Sequence, residues 1–157
     1  MFATLRRSGG IEALARRVGE APAQVSVAAE LLITEMIDCL RNFVAIKGGE
    51  EEGVGQLMHV LGDLGGGRLA ADVMGHDPID PSEGDAILDK LYAVNGYVRP
   101  TVEEVAERNG LDPEEVAKVL PLLAMLLCGY ISARFVSGGE GDGMKWAVDM
   151  LVPHKRI

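Results

Sequence analysis

The chain has 157 residues, of which 48% are hydrophobic and 25% are charged, and its formal net charge is −9. This length suits one domain, and the apolar content excludes a disordered chain, which lacks the surface needed to offset the entropy lost on ordering. The negative charge argues against a general nucleic-acid-binding protein, because such proteins carry a basic surface.

The first predicted elements are a short helix over residues 10–18, a turn at Gly19 and a long helix over residues 25–44. Pro22 suits the first turn of the long helix, where its missing N–H group costs nothing. Polar residues recur at four-residue steps along an otherwise apolar helix, at Ser26, Glu30, Thr34 and Asp38. This spacing predicts a narrow solvated stripe on one side of the long helix.

The middle of the chain predicts short helices separated by loops. Loops are expected at the runs rich in glycine, proline and acidic residues, which are 47–53, 65–67 and 76–81. Apolar residues at helical spacing predict a helix over 54–64, and a shorter helix or turn is expected at 68–74. We expect Ser82 to cap a helix over 83–93.

The clearest helix boundaries lie between residues 101 and 113, and they are marked by Thr101, Glu104, Gly110, Asp112 and Pro113. A threonine three residues before a glutamate has capping-box spacing. The glycine suits a helix C-terminus with positive φ, and the Asp-Pro pair caps and opens the next helix. The pattern predicts a short helix, a tight turn and a longer helix.

The second long helix, residues 114–133, is apolar on all sides. Such a helix must be buried all round, so we expect it at the centre of the fold, with or without a subunit contact. A glycine-rich run at 138–143 then precedes a short amphipathic helix over 144–151. Since no segment shows the alternation typical of strands, the predicted fold is all-α, a compact bundle of about seven or eight helices.

A shift of 91 residues places segment 11–44 on segment 102–135 without a gap. Eight of the 34 aligned positions are identical, which is a modest number, so the argument depends on residues with fixed backbone roles. Those are the aligned pairs Gly19/Gly110 and Pro22/Pro113. We predict two repeated units within one helical domain, residues 1–135, followed by a C-terminal tail, residues 136–157, that carries the short amphipathic helix.

The longest charge-free apolar run covers residues 119–133, which is fifteen residues interrupted by Pro121. A membrane-spanning helix needs about 20, so we expect no membrane span. The N-terminal arginines are not followed by an apolar run, so no secretory signal is expected either. We therefore expect a cytoplasmic protein that does not bind membranes.

Two segments of the chain, GLDPEEVAKVLPLLAMLLCGYI at 110–131 and EGDAILDKLY at 83–92, carry a family resemblance. The chain resembles the bacterial family known as domain of unknown function 937, which is related to the YidB-like superfamily. The matching residues are Gly110, Leu111, Asp112, Pro113, Glu114, Leu120 and Pro121, with Gly84, Asp85, Ile87 and Leu88 between the units. The first unit departs from the pattern, with Ala29-Glu30 in place of Leu-Pro, as does Tyr92-Ala93 in place of Phe-Gly. The resemblance implies an all-helical bacterial domain with no assigned activity and no catalytic residues to carry over.

Each unit also has helix-turn-helix spacing, at Ala15, Gly19 and Val25 and at Ala106, Gly110 and Val116. This spacing reflects helix packing, whereas DNA binding requires polar donors on the second helix. The second unit opens that helix with acidic residues. The first unit is more basic, because residues 1–20 hold Arg6, Arg7, Arg16 and Arg17 against two glutamates. A nucleic-acid-binding regulator using residues 1–30 is thus an alternative that we do not favour.

Residues that could carry chemistry are dispersed in the sequence. His59, His76 and His154 lack the spacing of a zinc site, and the acidic loop after His76 lacks that of a calcium loop. We expect Cys39 and Cys128 to fill the core as small hydrophobic residues. The run GGGR at 65–68 is a weak phosphate-binding candidate. No catalytic residue, cofactor or metal is therefore predicted, although an enzyme with a site in the 54–92 region is a second alternative.

The leading hypothesis is a non-enzymatic scaffold or protein-interaction module that binds itself or another protein. It is motivated by the large apolar surface of the two long helices relative to the few other helices that could cover it. The candidate interface residues are Leu122, Met125, Leu126 and Tyr130. A self-associating contact would be isologous, with the same surface used by both copies.

Overall fold

In a computed structural model, which describes residues 1–94, 99–139 and 141–152, the chain forms nine α-helices and no strand within those ranges. They are α1 (Phe2–Arg7), α2 (Gly10–Val18), α3 (Pro22–Ile46), α4 (Glu50–Asp63), α5 (Gly67–Met74), α6 (Ser82–Ala93), α7 (Val102–Asn109), α8 (Pro113–Ser137) and α9 (Asp142–Leu151). The all-α prediction is confirmed. The additional helix is α1, whose six residues carry no capping signal and are anchored by the buried Leu5.

Helix α8 lies at the centre of the molecule, as its composition predicts. Every residue from Val119 to Gly129 is buried, and α2 to α7 and α9 all pack against it. The helix continues through Pro121, because tertiary contacts on every side hold it together.

The length and composition of α8 are also those of a membrane-spanning helix. An 18-residue window of α8 has a mean hydropathy of 1.9, and no other helix of the described ranges is long and apolar enough to cross a membrane. However, 72% of that window is buried inside the fold. The core helix of a soluble protein has the same properties, so this resemblance to a membrane span is weak evidence.

Helices α5 and α6 approach α8 at backbone distance through glycines. A Cβ atom on Gly84 of α6 would lie 2.0 Å from the carbonyl oxygen of Pro121, and one on Gly129 of α8 would lie 2.3 Å from the backbone nitrogen of Ala70. Side chains at these glycines would separate the helices. The two motifs behind the family resemblance, Gly-Asp-x-Ile-Leu and Leu-Pro, therefore contact each other at Gly84 and Pro121.

The two predicted units have matching local structure. The shift of 91 residues places both ends of α3 on the ends of α8, and each of these helices has 25 residues. Gly19 and Gly110 end the preceding helices with φ values of 72° and 66°. After each glycine the next N–H group donates to the carbonyl of an alanine, Ala15 or Ala106. These agreements support the duplication, which stays a proposal.

Several predicted boundaries were wrong. Helix α8 continues to Ser137, past the expected end at 133, and α9 begins at Asp142, inside an expected glycine-rich run. Helix α4 begins at Glu50, inside the expected loop, because Gly48 and Gly49 complete the turn with positive φ and the three glutamates that follow suit the positive end of a helix dipole. Ser82 does not cap α6. Its backbone N–H instead donates to the Asp80 carboxylate at 3.0 Å.

Helix α9, in the segment expected to form a tail, packs against α3, α4 and α8. Ala147 and Leu151 are fully buried in the same core as the rest of the bundle. The Trp146 ring meets Tyr130 edge-on at 6.3 Å and lies 5.2 Å from the Arg134 guanidinium. This helix is thus an integral part of the core.

Candidate interaction surface

The outer face of α3 is the main apolar surface that the described helices leave uncovered. We define it as the exposed residues Ala23, Val27, Glu30, Leu31, Thr34 and Asp38, which follow helical spacing along one side. Val27 is 59% exposed and Leu31 is 39% exposed. The predicted solvated stripe is confirmed at Glu30, Thr34 and Asp38, whereas Ser26 is half-buried.

A comparison of α3 with α8 explains why this face is open. The shift of 91 residues places the exposed Glu30 and Asp38 on Pro121 and Gly129 of α8, where α6 and α5 pack at backbone distance. At the positions that this shift pairs, α5 and α6 cover α8, whereas the residues of α3 are exposed.

Open grooves flank this face on both sides. The groove toward α7 has a volume of about 820 Å³ and includes Leu31, Tyr92 and Asn109. The groove toward α1 and α9 has a volume of about 410 Å³ and includes Phe2, Ile33 and Met150. Helix α3 is therefore a ridge between two partly apolar grooves, which is the geometry with which one helix receives another.

Polar contacts fix the ridge in place. Glu35 accepts hydrogen bonds from Arg108 and from Asn109 of α7, the latter at 2.8 Å. Arg41 donates to the carbonyl of Met150 at the end of α9. Both contacts lie at the C-terminal half of the outer face, so neighbouring helices hold this half as a preformed surface.

The residues predicted to form an interface lie inside the molecule. Leu122, Met125 and Leu126 are at most 5% exposed, and the partly buried Tyr130 packs on Trp146. The apolar surface that suggested an interface is covered by helices of the same chain. The sequence does not single out Val27 and Leu31, because every apolar residue of such a helix is expected to be covered by other helices.

Two of the four arginines that make the first unit basic have structural roles, whereas Arg6 and Arg7 are exposed. Arg17 donates hydrogen bonds to the carbonyls of Asp72, Val73, Gly75 and Asp77, at 2.6 to 3.2 Å. Arg16 donates to the carbonyls of Met74 and Gly75. Both side chains therefore cap the C-terminal end of α5, where a positive charge stabilises the helix dipole.

Two acidic residues of the 76–85 segment form ion pairs with different arginines. Glu83 forms an ion pair with Arg68 and Asp85 one with Arg99, both at 3.0 Å. Arg68 of the GGGR run is thus engaged, as it also pairs with Asp72. His59 and His76 are exposed, and His154 lies outside the described residues. Within those residues no three His, Cys, Asp or Glu side chains converge on a metal position.

Both cysteines lie against the core with protonated thiols. Burial raises the pKa of Cys128 to about 12 and that of Cys39 to about 11. Cys39 contacts Tyr92, and burial raises the pKa of Tyr92 to about 12. These thiols lack the electropositive surroundings that activate a cysteine nucleophile.

The open cavity beside the 54–92 region has a volume of about 330 Å³ and combines apolar side chains with two lysines. It is lined by Phe43, Lys47, Gln56, Val60, Lys90, Ala93 and Val94. Within the described part of the chain, no carboxylate or histidine lines this cavity.

The family model described as "Bacterial protein of unknown function (DUF937)" matches residues 4–134. No curated protein and no solved structure matches the chain. The family match includes both helix pairs and the contact between Gly84 and Pro121. The chain therefore belongs to the bacterial DUF937 family, whose function is unknown.

Proposed function

We propose that the protein is a non-enzymatic protein-interaction module and that the outer face of α3 is its binding surface. The observation that carries this proposal is the difference between the two long helices. The side of α8 that is covered by α5 and α6 corresponds to a side of α3 that remains open, with Val27 and Leu31 exposed on a rigid ridge.

The proposed partner is a helix of another protein with apolar side chains and basic residues. Its apolar side chains would occupy the grooves on either side of the ridge. Its basic residues would face Glu30 and Asp38, neither of which forms an ion pair with any described residue. The net charge of −9 favours association with such a basic partner.

The two alternative functions have less support. Nucleic-acid binding would use the basic first unit, but Arg16 and Arg17 cap α5. An enzyme with a site in the 54–92 region would need converging titratable groups. One cavity of this region supplies two lysines. The small cavity at Leu88 and Tyr92 adds Glu35, Arg99 and the thiol of Cys39, and burial raises the pKa of that thiol to about 11. A protein-interaction module requires only the exposed, preformed surface.

The test places a photo-crosslinking amino acid at Leu31 of the full-length protein in the bacterium that makes it. Val136 provides the matched control, because it is 75% exposed, lies near the C-terminal end of α8 and lines neither groove beside the outer face. We expect a defined crosslinked partner from position 31 and none from position 136. Equal products from both positions would contradict the assignment of the surface.

Binding of the identified partner is then measured with purified proteins. Leu31→Lys is expected to weaken binding at least about 10-fold, since a central apolar contact is lost and a positive charge faces a basic partner. Val136→Lys is expected to leave the affinity unchanged. An unchanged affinity for Leu31→Lys would refute the proposal, and a crosslink to a second copy of the chain would replace the heterologous partner by self-association.

A further inference from the structure

A buried pair of carboxyl groups lies where the two units meet. Glu20 belongs to the turn between α2 and α3, and Glu115 lies in the first turn of α8. Glu115 is 7% exposed and the side chain of Glu20 is 17% exposed. A hydrogen bond to Glu20 is among the causes that raise the pKa of Glu115, so the two carboxyl groups are neighbours.

Gln24 ties the same pair to α3. Its amide donates to Glu115 Oε2 at 3.4 Å, and the shift of 91 residues places Gln24 on Glu115. The hydrogen bond thus joins equivalent positions of the two units, which identifies this cluster as a contact between them.

The carboxyl groups are short of donors. Glu20 Oε2 and Glu115 Oε1 are both buried, and neither accepts a hydrogen bond from a donor group of the described residues. The charged groups around them are Lys118, whose ammonium lies 3.6 Å from Glu20 Oε1, and Asp112. Two buried carboxylates beside one ammonium leave an unbalanced negative charge, which is costly away from water.

A proton fits this position better than a metal ion. Calcium takes six to eight oxygen ligands and magnesium keeps several waters of its own, whereas the two unpartnered oxygens among the described residues are closed to solvent. Asp112 uses its Oδ1 atom to accept the N–H of Glu114 at 2.9 Å. Lys118 would also repel a second cation, while one proton on Glu115 leaves Glu20 and Lys118 as a balanced ion pair.

We propose that Glu20 and Glu115 share one proton and that this proton latches the turn of the first unit onto α8. When the proton is present, one carboxyl group donates to the other and the contact is closed. When it leaves, two adjacent carboxylates repel each other and the contact loosens. The packing between the two units is thereby linked to pH.

The direction of the pH dependence follows from the burial. Desolvation, followed by the hydrogen bond to Glu20, raises the pKa of Glu115 from its ordinary value of 4.5 to about 7. The folded protein then binds this proton more tightly than the unfolded chain does. The stabilisation is complete below the unfolded pKa and is lost as the pH rises through the folded pKa, across the interval from 4.5 to about 7.

The test compares Glu115→Gln with Glu114→Gln by thermal unfolding of the full chain between about pH 5.5 and pH 8.5. The glutamine amide at position 115 mimics the protonated carboxyl group, so the melting temperature of this variant should exceed that of wild type by roughly 3–6 °C at about pH 8. Its pH dependence should flatten. The neighbouring Glu114 is exposed, so Glu114→Gln should keep the slope of wild type.

A second measurement does not depend on a variant. Carbon-13 NMR of the glutamate carboxyl groups in the wild-type protein should show one group that titrates near neutral pH. Absence of such a group, or an unchanged slope in Glu115→Gln, would overturn the proposal. A rise in melting temperature on adding Mg²⁺ or Ca²⁺ at about pH 8, present in wild type and absent in Glu115→Gln, would overturn it in favour of a metal site.

Discussion

Replacing Gly84 with alanine tests the closest contact in the core. A Cβ atom at this position would lie 2.0 Å from the Pro121 carbonyl oxygen and 2.5 Å from the carbonyl carbon. The obstructing atoms belong to the backbone, so no side chain can rotate away. Relief requires α6 to move away from α8 by more than about 1 Å, because ordinary carbon contacts lie at about 3.5–4.0 Å.

Overpacking of a core costs about 1–3 kcal/mol and occasionally more. A displaced helix backbone belongs at the upper end, and the better helix propensity of alanine returns at most about 1 kcal/mol. The expected net loss of unfolding free energy is therefore about 2–3 kcal/mol. For a chain of this size it corresponds to a fall in melting temperature of roughly 4–12 °C.

The assay is urea unfolding followed by circular dichroism, with calorimetry for the melting temperature. Gly55→Ala is the matched control, because Gly55 also lies within a helix but a Cβ atom there meets nothing within 4 Å. The control should be neutral or more stable by up to about 1 kcal/mol. If Gly84→Ala is as stable as Gly55→Ala, α6 does not approach α8 as described and the reasoning is refuted.

Arg17→Gln should lower the unfolding free energy by about 2–3 kcal/mol, because it removes charged hydrogen bonds to the end of α5. Arg6 is exposed, so Arg6→Gln should change the unfolding free energy by less than about 0.5 kcal/mol. Equal effects of the two substitutions in urea unfolding would contradict the capping role. Leu122→Lys should abolish folding by burying a charge, while Leu31→Lys should cost less than about 1 kcal/mol, and circular dichroism distinguishes the two. The buried Cys128 should react with a thiol reagent no faster than the protein unfolds, and rapid labelling in native buffer would show that the core is open.

Much of the helical framework was predictable because helix boundaries depend on near neighbours. Thr101 accepts the N–H of Glu104 at 3.1 Å, as its capping-box spacing requires. Gly110 takes the left-handed conformation predicted for it. These interactions span three or four residues, so the local sequence contains all that they need.

The errors arise where local signals compete or are weak. A run of glutamates after two glycines was expected to be a loop, but Glu50 to Glu52 form the first turn of α4. Ser82 is the first residue of α6 and does not precede the helix, and its own N–H donates to the Asp80 carboxylate. Helix α1 has no cap and depends on burial of Leu5, which the local sequence does not reveal.

The candidate interaction surface could not be predicted from the sequence, for a different reason. An apolar helix must be covered, but its composition does not say which residues the other helices reach. The predicted interface residues of α8 are covered by helices of the same chain, while Val27 and Leu31 of α3 are not. Which long helix stays exposed depends on where α5 and α6 pack, and these two helices pack against Gly129 and Pro121 of α8.

The sequence by itself determined that the chain is helical, where most of its helices begin and end, and that α8 is the central one. These properties follow from hydrogen bonds within one turn and from the cost of exposing an apolar helix to water. Tertiary structure alone decided that Gly84 meets Pro121, that Arg17 caps α5 and that Glu20 faces Glu115. Such contacts join residues far apart in the chain, so they depend on how whole helices pack and not on the pattern within any one of them.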